Sequence, residues 1–261
     1  MHPLLNLAIT AARQAGDIIL RYRERIESLQ ISKKGENDLF SEVDVQAEQS
    51  IIKTIAKAYP DHGFIAEESG ITQDEAESVW IIDPLDGTTN YLHGFPWFCV
   101  SIAHKVKNRI EHAVVYDPLH QECFVATRGS GARLNDRRLR ISKVSDLSTA
   151  LIGTTLSMSA ENTPHQVAFG AVAQAAGGVR KSGAAALELA YVAAGRLDGF
   201  VGANLKQWDI AAGALLVQEA GGMIGDFAGN DTYLKHGQIV AAPLKVFKPI
   251  LQAFHTAKEI S

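Results

Sequence analysis

A layered α/β or α+β fold is what this sequence predicts, and three observations carry the prediction. Segments with apolar residues three or four positions apart recur between short apolar runs bounded by turn residues. The first half groups its strand-like runs into hairpins, whereas the second half interleaves them with helices. The chain has 261 residues, of which 46% are hydrophobic and 21% charged, enough to bury a substantial core.

The elements follow in order. Leu4, Ala8, Ala12, Ala15, Ile19, Tyr22 and Ile26 recur at gaps of three or four, which predicts an amphipathic helix packed on a core and not a signal peptide. ISKKGENDLFSEVD reads as a loop or short hairpin. Val43, Ala47, Ile51 and Ile55 predict a second helix over 42–58, stopped at Tyr59-Pro60. FIA, at 64–66, is a short strand running into an acidic loop, and VWII at 79–82 is a buried strand. CVSIAHKV, IEHAVVY and ECFVAT, across 99–126, read as antiparallel strands joined by turns. RGSGARLND reads as a Gly-rich turn or a flexible loop with no phosphate-binding role.

In the second half, STALIGTT is strand-like and Pro164 opens a helix running to Gly177-Gly178. AAALELAYVAAG is a small-residue helix capped by Gly195. DGFVG is a strand, WDIAAGALLVQEAGG a helix, MIGDF and QIVAA are strands, and a last helix starts at Leu244. The organisation expected is a single domain over 1–261, with a soft boundary near 140–148 separating subdomains 1–145 and 146–261.

Charge narrows the function classes. With 25 Lys+Arg and 29 Asp+Glu the net charge is −4, without the basic footprint of a dedicated nucleic-acid binder. RLNDRRLR is a short basic stretch that reads as a solvated edge. Cys99 and Cys123 sit in apolar runs and are expected as buried, reduced thiols. No segment approaches the roughly 20 apolar residues of a membrane span, so a cytoplasmic protein is expected.

The informative segment is WIIDPLDGTTNY, residues 80–91, where a buried strand ends and at once presents Asp83 and then Asp86. Pro84 stiffens the turn, and Gly87 permits an unusual backbone angle or a close approach. A helix starting after Gly87 would turn its free N–H groups and the Thr88 hydroxyl outward as an anion cradle. Carboxylates beside an anion cradle call for cations between them, and hard oxygen ligands near a phosphate point to magnesium. Taken alone, Asp-Pro and Asp-Gly are also ordinary turn and cap sequences. Two motif classes are excluded. A haloacid-dehalogenase phosphatase needs Asp-x-Asp, and a calcium EF-hand needs ligands at alternate positions with a distal Glu. Glu67-Glu68 follow the strand FIA, and Asp209 opens a helical run, where a lone Asp is usually an N-cap. Asp44, on the second helix, reads by itself as a solvated charge.

FIAEES (64–69), WIIDPLDGTTNY (80–91) and WDIAAG (208–213), in that order and spacing, resemble the inositol monophosphatase family over effectively the whole chain. The resemblance implies a layered αβαβα sandwich, usually a homodimer, with magnesium-dependent and lithium-sensitive phosphatase activity. It implies that Glu67, Asp83 and the Leu85 carbonyl bind one magnesium. Asp83, Asp86 and Asp209 would bind a second, and a third, weaker ion would approach Glu67 through waters. Thr88, polarised by Asp44, would orient the attacking water beside Glu67, and no covalent enzyme intermediate is implied. The N–H groups of Gly87 and Thr88 would hold phosphate oxygens, Asp209 would also touch substrate, Ala184 and Ala185 would line the pocket, and Lys33 would lie near the metal loop. There is one departure. Where the family often has a hydroxyl-binding Glu, seven residues before Asp209, this chain has Gly202, with Asn204 and Lys206 nearby as substitutes. His93, Trp97 and Trp208 read as loop or packing residues.

The expected activity is therefore hydrolysis of inositol monophosphate, or of a related polyol or sugar phosphate, a small-molecule monoester needing no nucleic acid. Two rivals stand beside it. A bisphosphatase, for fructose 1,6-bisphosphate or a 3′-phosphoadenosine nucleotide, would need a further basic pocket that no motif marks. A regulatory protein associated with RNA machinery would be expected to lose ligands, whereas Glu67, Asp83, Asp86, Thr88 and Asp209 are all present.

Overall fold

Alanines at Ala8, Ala11, Ala12 and Ala15 give α1 (Pro3–Arg23) a flat buried face that lets a sheet approach closely. The structure is a computed structural model that describes residues 2–24, 31–35, 38–73, 75–156 and 163–259. Ile26, the last position of the expected first helix, lies outside them. A hairpin of β1 (Ile31–Gly35) and β2 (Asp38–Ser41) follows, and then α2 (Glu42–Ala58), which Ser41 caps by accepting the Val43 N–H.

The large sheet contains β3 (Gly63–Ala66), β4 (Gly70–Thr72), β5 (Ser78–Asp86), β6 (Cys99–Val106), β7 (Arg109–Asp117), β8 (Glu122–Thr127), β9 (Gly131–Leu134) and β10 (Arg137–Arg138). Their order is β10-β9-β8-β7-β6-β5-β3-β4, and every neighbour pair is antiparallel except β3 with β5. The short helix α3 (Thr88–Leu92) follows β5 directly. A second sheet has the order β12-β11-β13-β15-β14, built from β11 (Leu151–Thr154), β12 (Gly178–Arg180), β13 (Gly199–Gly202), β14 (Met223–Gly225) and β15 (Ile239–Ala242). Its helices are α4 (Pro164–Ala175), α5 (Ala185–Ala193), α6 (Gln207–Ala220), α7 (Tyr233–His236) and α8 (Leu244–Glu259).

Strand alternation sorts these elements into five layers. Trp80, Ile82, Val100 and Val114 pack against α1 and α2, while Val79, Ile81, Ala103 and Val115 face the opposite way onto α5 and α6. Phe200, Ile239 and Ala241 of the second sheet close over α5 and α6 from the far side. Their alternates Val201, Val240 and Ala242 face α4 and α8. The result is the expected αβαβα sandwich. Because α5 and α6 are covered on both faces, they are apolar nearly all round, as their sequences of Ala, Leu and Val require. Each fully buried Leu or Ile in these layers contributes about 1.5–3 kcal/mol.

Two expectations are corrected. RGSGARLND is a turn only at 128–130; Gly131–Leu134 form β9, which pairs with β8 and β10, and Asn135 takes a positive φ of 50° at the turn between β9 and β10. The segment after α4 forms β12 at Gly178–Arg180, where Gly-Gly had suggested only a helix end. Strands and helices of three or four residues, such as β4, β12 and α7, are too short to show periodicity.

On the α1–α2 face of the large sheet, His62, His104, His112 and His2 form a column of rings with centroids 4.4–5.7 Å apart. The His104 ring is buried with neither nitrogen hydrogen-bonded. Burial, and then the neighbouring imidazoles, lower its pKa to about 3, and burial also lowers His62 and His112. Asp61 and Glu111 oppose those last two shifts. A folded-state pKa below the unfolded 6.5 means that the stability is intact above pH 6.5 and falls as pH drops below it. Unfolding in urea at pH 7 and pH 5 is therefore expected to show a loss of about 2 kcal/mol from His104 alone, which His104→Phe abolishes.

Candidate functional site

Asp83 and Asp86 are three residues apart, so in a regular strand they would point to opposite faces. The register removes that difficulty. Asp83 pairs with Ser101 and Asp86 with Cys99, so three residues of β5 are spanned by two of β6. The extra residue is a β-bulge at Pro84-Leu85, where the missing proline N–H costs the ladder nothing. Both carboxylates consequently share the face of Cys99 and Ser101, which looks toward α5 and α6.

The neighbouring parallel strand delivers the third carboxylate. Ala66 of β3 pairs with Ile82, and the Glu67 N–H donates to the Ile82 carbonyl at 3.2 Å, which sets Glu67 beside Asp83 at the strand ends. The turn that carries Glu67 is held by Glu48, a buried residue of α2. Its two oxygens accept the N–H groups of Glu68 and Ser69, each at 2.8 Å. The fourth carboxylate, Asp209, lies in the first turn of α6 and accepts the Lys206 N–H at 2.7 Å. Ser101 ties that helix start to the sheet by donating to the Trp208 carbonyl at 3.1 Å.

The electrostatics follow from this gathering. The Asp83 carboxyl is raised well above the usual range, first by burial and then by the charges of Glu67, Asp86 and Asp209. Asp86 is raised too, by burial and Asp209, although the Ala186 N–H, 2.7 Å from its Oδ2, pulls the other way. Cys99 lies 3.7 Å from the same oxygen, and burial with the adjacent carboxylates keeps it a thiol. Four acids that repel one another in a half-dry cleft suit hard cations, by donor type and by charge. Among the described residues no three His, Cys, Asp or Glu side chains already surround one point. The match to a cation is therefore one of chemistry and not of coordination geometry.

Beside the carboxylates, Gly87 takes φ +93° and starts α3. A side chain there would meet the Trp97 carbonyl at 2.8 Å, so both angle and space require glycine. The Thr88 hydroxyl lies 2.8 Å from Asp44 Oδ1 and 2.9 Å from the Leu85 carbonyl. Asp44 is not a solvated charge. It is fully buried, its Oδ2 accepts both the N–H and the hydroxyl of Ser41, and burial raises its pKa against those hydrogen bonds. Leu85 buries its side chain in the α1–α2 layer and leaves its backbone for the site, the N–H donating to Asp83 and the carbonyl lying beside Thr88. Ala184 places its Cβ 3.2 Å from where one would stand on Gly87, and Ala185 begins α5 with its side chain buried. His93 is exposed, with Nδ1 near the Thr89 carbonyl, and Trp97 packs edge-on against Tyr191. The Lys33 side chain lies outside what the structure describes.

Comparison with known proteins identifies the family and the fold. A model of the inositol monophosphatase family matches residues 1–259. The chain belongs to the inositol monophosphatase family. It is 48% identical over 258 residues to a protein named Nus factor SuhB from Pseudomonas aeruginosa, covering 96% of this chain and 95% of that one. Among solved structures, extragenic suppressor protein suhB from Bartonella henselae superposes with a TM-score of 0.93 at 40% identity, over 97% of this chain and 98% of that one. An inositol monophosphatase from Anabaena gives a TM-score of 0.85 at 34% identity, over 97% of this chain and 95% of that one.

The residue that sequence reasoning passed over is Glu48. Its helical position, on the same face as Asp44, was the only available signal. Glu48→Ala would leave two backbone N–H groups of the Glu67 turn unpaired. A loss of roughly 2–3 kcal/mol in urea unfolding is expected, with Glu48→Gln losing less because one acceptor remains.

Proposed function

We propose that this chain is a magnesium-dependent phosphomonoesterase acting on inositol monophosphate or a related polyol or sugar phosphate. The observation that carries the reading is the bulge that turns Asp83 and Asp86 to one face, beside Glu67 and Asp209 and next to the start of α3. Glu67, Asp83 and the Leu85 carbonyl would hold one magnesium, and Asp83, Asp86 and Asp209 a second, with a third, weaker ion near Glu67. Bound there, the cations would neutralise the phosphate and make water a better nucleophile.

The chain's own residues do the rest. Asp44 accepts a hydrogen bond from the Thr88 hydroxyl, which leaves the lone pairs of the Thr88 oxygen to orient an incoming water. Burial of Asp44 and its bonds to Ser41 keep that pair from rotating. The first N–H groups of α3, from Gly87 and Thr88, have no partner within the helix and would receive phosphate oxygens. Family membership supports lithium sensitivity, a homodimer and a cytoplasmic setting as parts of the same reading. Among the described residues no helix is long and apolar enough to cross a membrane. The name of the Pseudomonas relative, Nus factor SuhB, favours a second reading in which the chain also serves as a regulatory partner of RNA machinery.

The test is phosphate release from inositol 1-phosphate, glycerol phosphate, fructose 1,6-bisphosphate and a 3′-phosphoadenosine nucleotide, with magnesium, with chelator and with lithium. Monoester hydrolysis that needs magnesium is expected, and Asp86→Asn should lower kcat by about a hundredfold or more while the amide oxygen still accepts the Ala186 N–H. A strong preference for a bisphosphate, or wild-type turnover in Asp86→Asn, overturns the proposal.

Substrate breadth turns on Gly202, at the end of β13. A Cβ there would lie 2.5 Å from Leu205 Cδ1 and 2.9 Å from Phe200 Cε1, so any side chain at this position requires both neighbours to shift. Gly202→Glu is expected to destabilise the protein by about 1–3 kcal/mol. Adding Leu205→Ala should recover part of the melting temperature, the Phe200 contact remaining, and shift kcat/KM toward inositol phosphate over glycerol phosphate.

A further inference from the structure

We propose that Glu188 is a positioning residue that sets the orientation of Asp86 through the turn at Ser182 and Gly183. The proposal rests on the magnesium reading of the site.

Glu188 lies on α5, is fully buried, and belongs to none of the carboxylates above. Its Oε1 accepts the Ser182 N–H at 2.8 Å. Its Oε2 is buried and sits so close to Gly153 that a Cβ there would collide with it. Burial pushes the carboxyl up to about 7, partly opposed by the N–H groups around it. Burying an acid costs folding free energy that the hydrogen bonds it accepts only partly return, so its presence here calls for a reason beyond filling space.

Its contacts do give one. The Ser182 N–H is held by Glu188, and the Ser182 carbonyl accepts from Asn90 Nδ2 at 2.8 Å, which also donates to the Trp97 carbonyl at 2.8 Å. The turn is thus clamped between α5 and α3. Just beyond it, the Ala186 N–H donates to Asp86 Oδ2 at 2.7 Å. That bond fixes which way the Asp86 carboxylate is rotated. A shift of the turn moves the Ala186 N–H, and Asp86 turns with it.

The test measures Mg²⁺ binding by calorimetry, with thermal melting and phosphate release on the same samples. Glu188→Gln keeps an oxygen for the Ser182 N–H, whereas Glu188→Met fills the space without it. Glu188→Gln should bind Mg²⁺ within about threefold of wild type, and Glu188→Met about tenfold or more weakly, both in samples that melting shows to be folded. Gly153→Ala pushes on Oε2 without altering Glu188, and should weaken Mg²⁺ binding in the same direction should Glu188→Met not fold. Wild-type Mg²⁺ affinity in Glu188→Met, or in a folded Gly153→Ala, overturns the proposal and leaves the magnesium reading standing. A wild-type chain that neither takes up Mg²⁺ nor releases phosphate overturns both.

Discussion

Four carboxylates, Glu67, Asp83, Asp86 and Asp209, are brought together although burial and mutual repulsion both oppose it. The rest of the site consists of means to hold that arrangement. Backbone N–H groups are the principal one: Leu85 donates to Asp83, Ala186 to Asp86 and Lys206 to Asp209. Each donation lowers the cost of a negative charge and fixes the rotation of its carboxylate. Because the donors sit in helix starts and in a bulge, the site is as rigid as the elements that end there.

The layered fold supplies those ends at one place. β3 and β5 run parallel and their pairing ends at Ala66 and Ile82, so Glu67 and Asp83 start out as neighbours. The bulge at Pro84-Leu85 then changes the parity of β5 and turns Asp86 to the side of Asp83. From across the middle layer, α5 and α6 bring their N-termini to the same edge, where helix dipoles favour negative charge. On the outer side, α2 contributes Asp44 to Thr88 and Glu48 to the Glu67 turn. One helix therefore steadies both flanks of the cluster.

The layers and most of their elements were legible because periodicity is a local property. Val43, Ala47, Ile51 and Ile55 announce α2, and all four are fully buried. β9 was missed because four residues after a Gly-rich turn carry too little pattern. Within the site, Asp83, Asp86, Gly87 and Thr88 fall within six consecutive positions and could be read as a unit. Glu48 could not, since the N–H groups it holds are 20 and 21 residues away. Glu188 looked like one polar residue in a small-residue helix, and its burial became visible only when Gly153 and Ser182 closed on it.

The sequence by itself determined which residues could carry the chemistry, the family and the order of helices and strands, since composition, spacing and motif are all local. Only the tertiary structure decided that Asp44 is buried and bonded to Thr88, and that Asp86 is turned by a helix a hundred residues away. It also decided that Leu205 closes the space beside Gly202. The physical reason is the same in each case. A carboxylate's identity is written at its own position, but its orientation, its charge cost and its neighbours depend on donors and walls that only folding brings within about 3 Å.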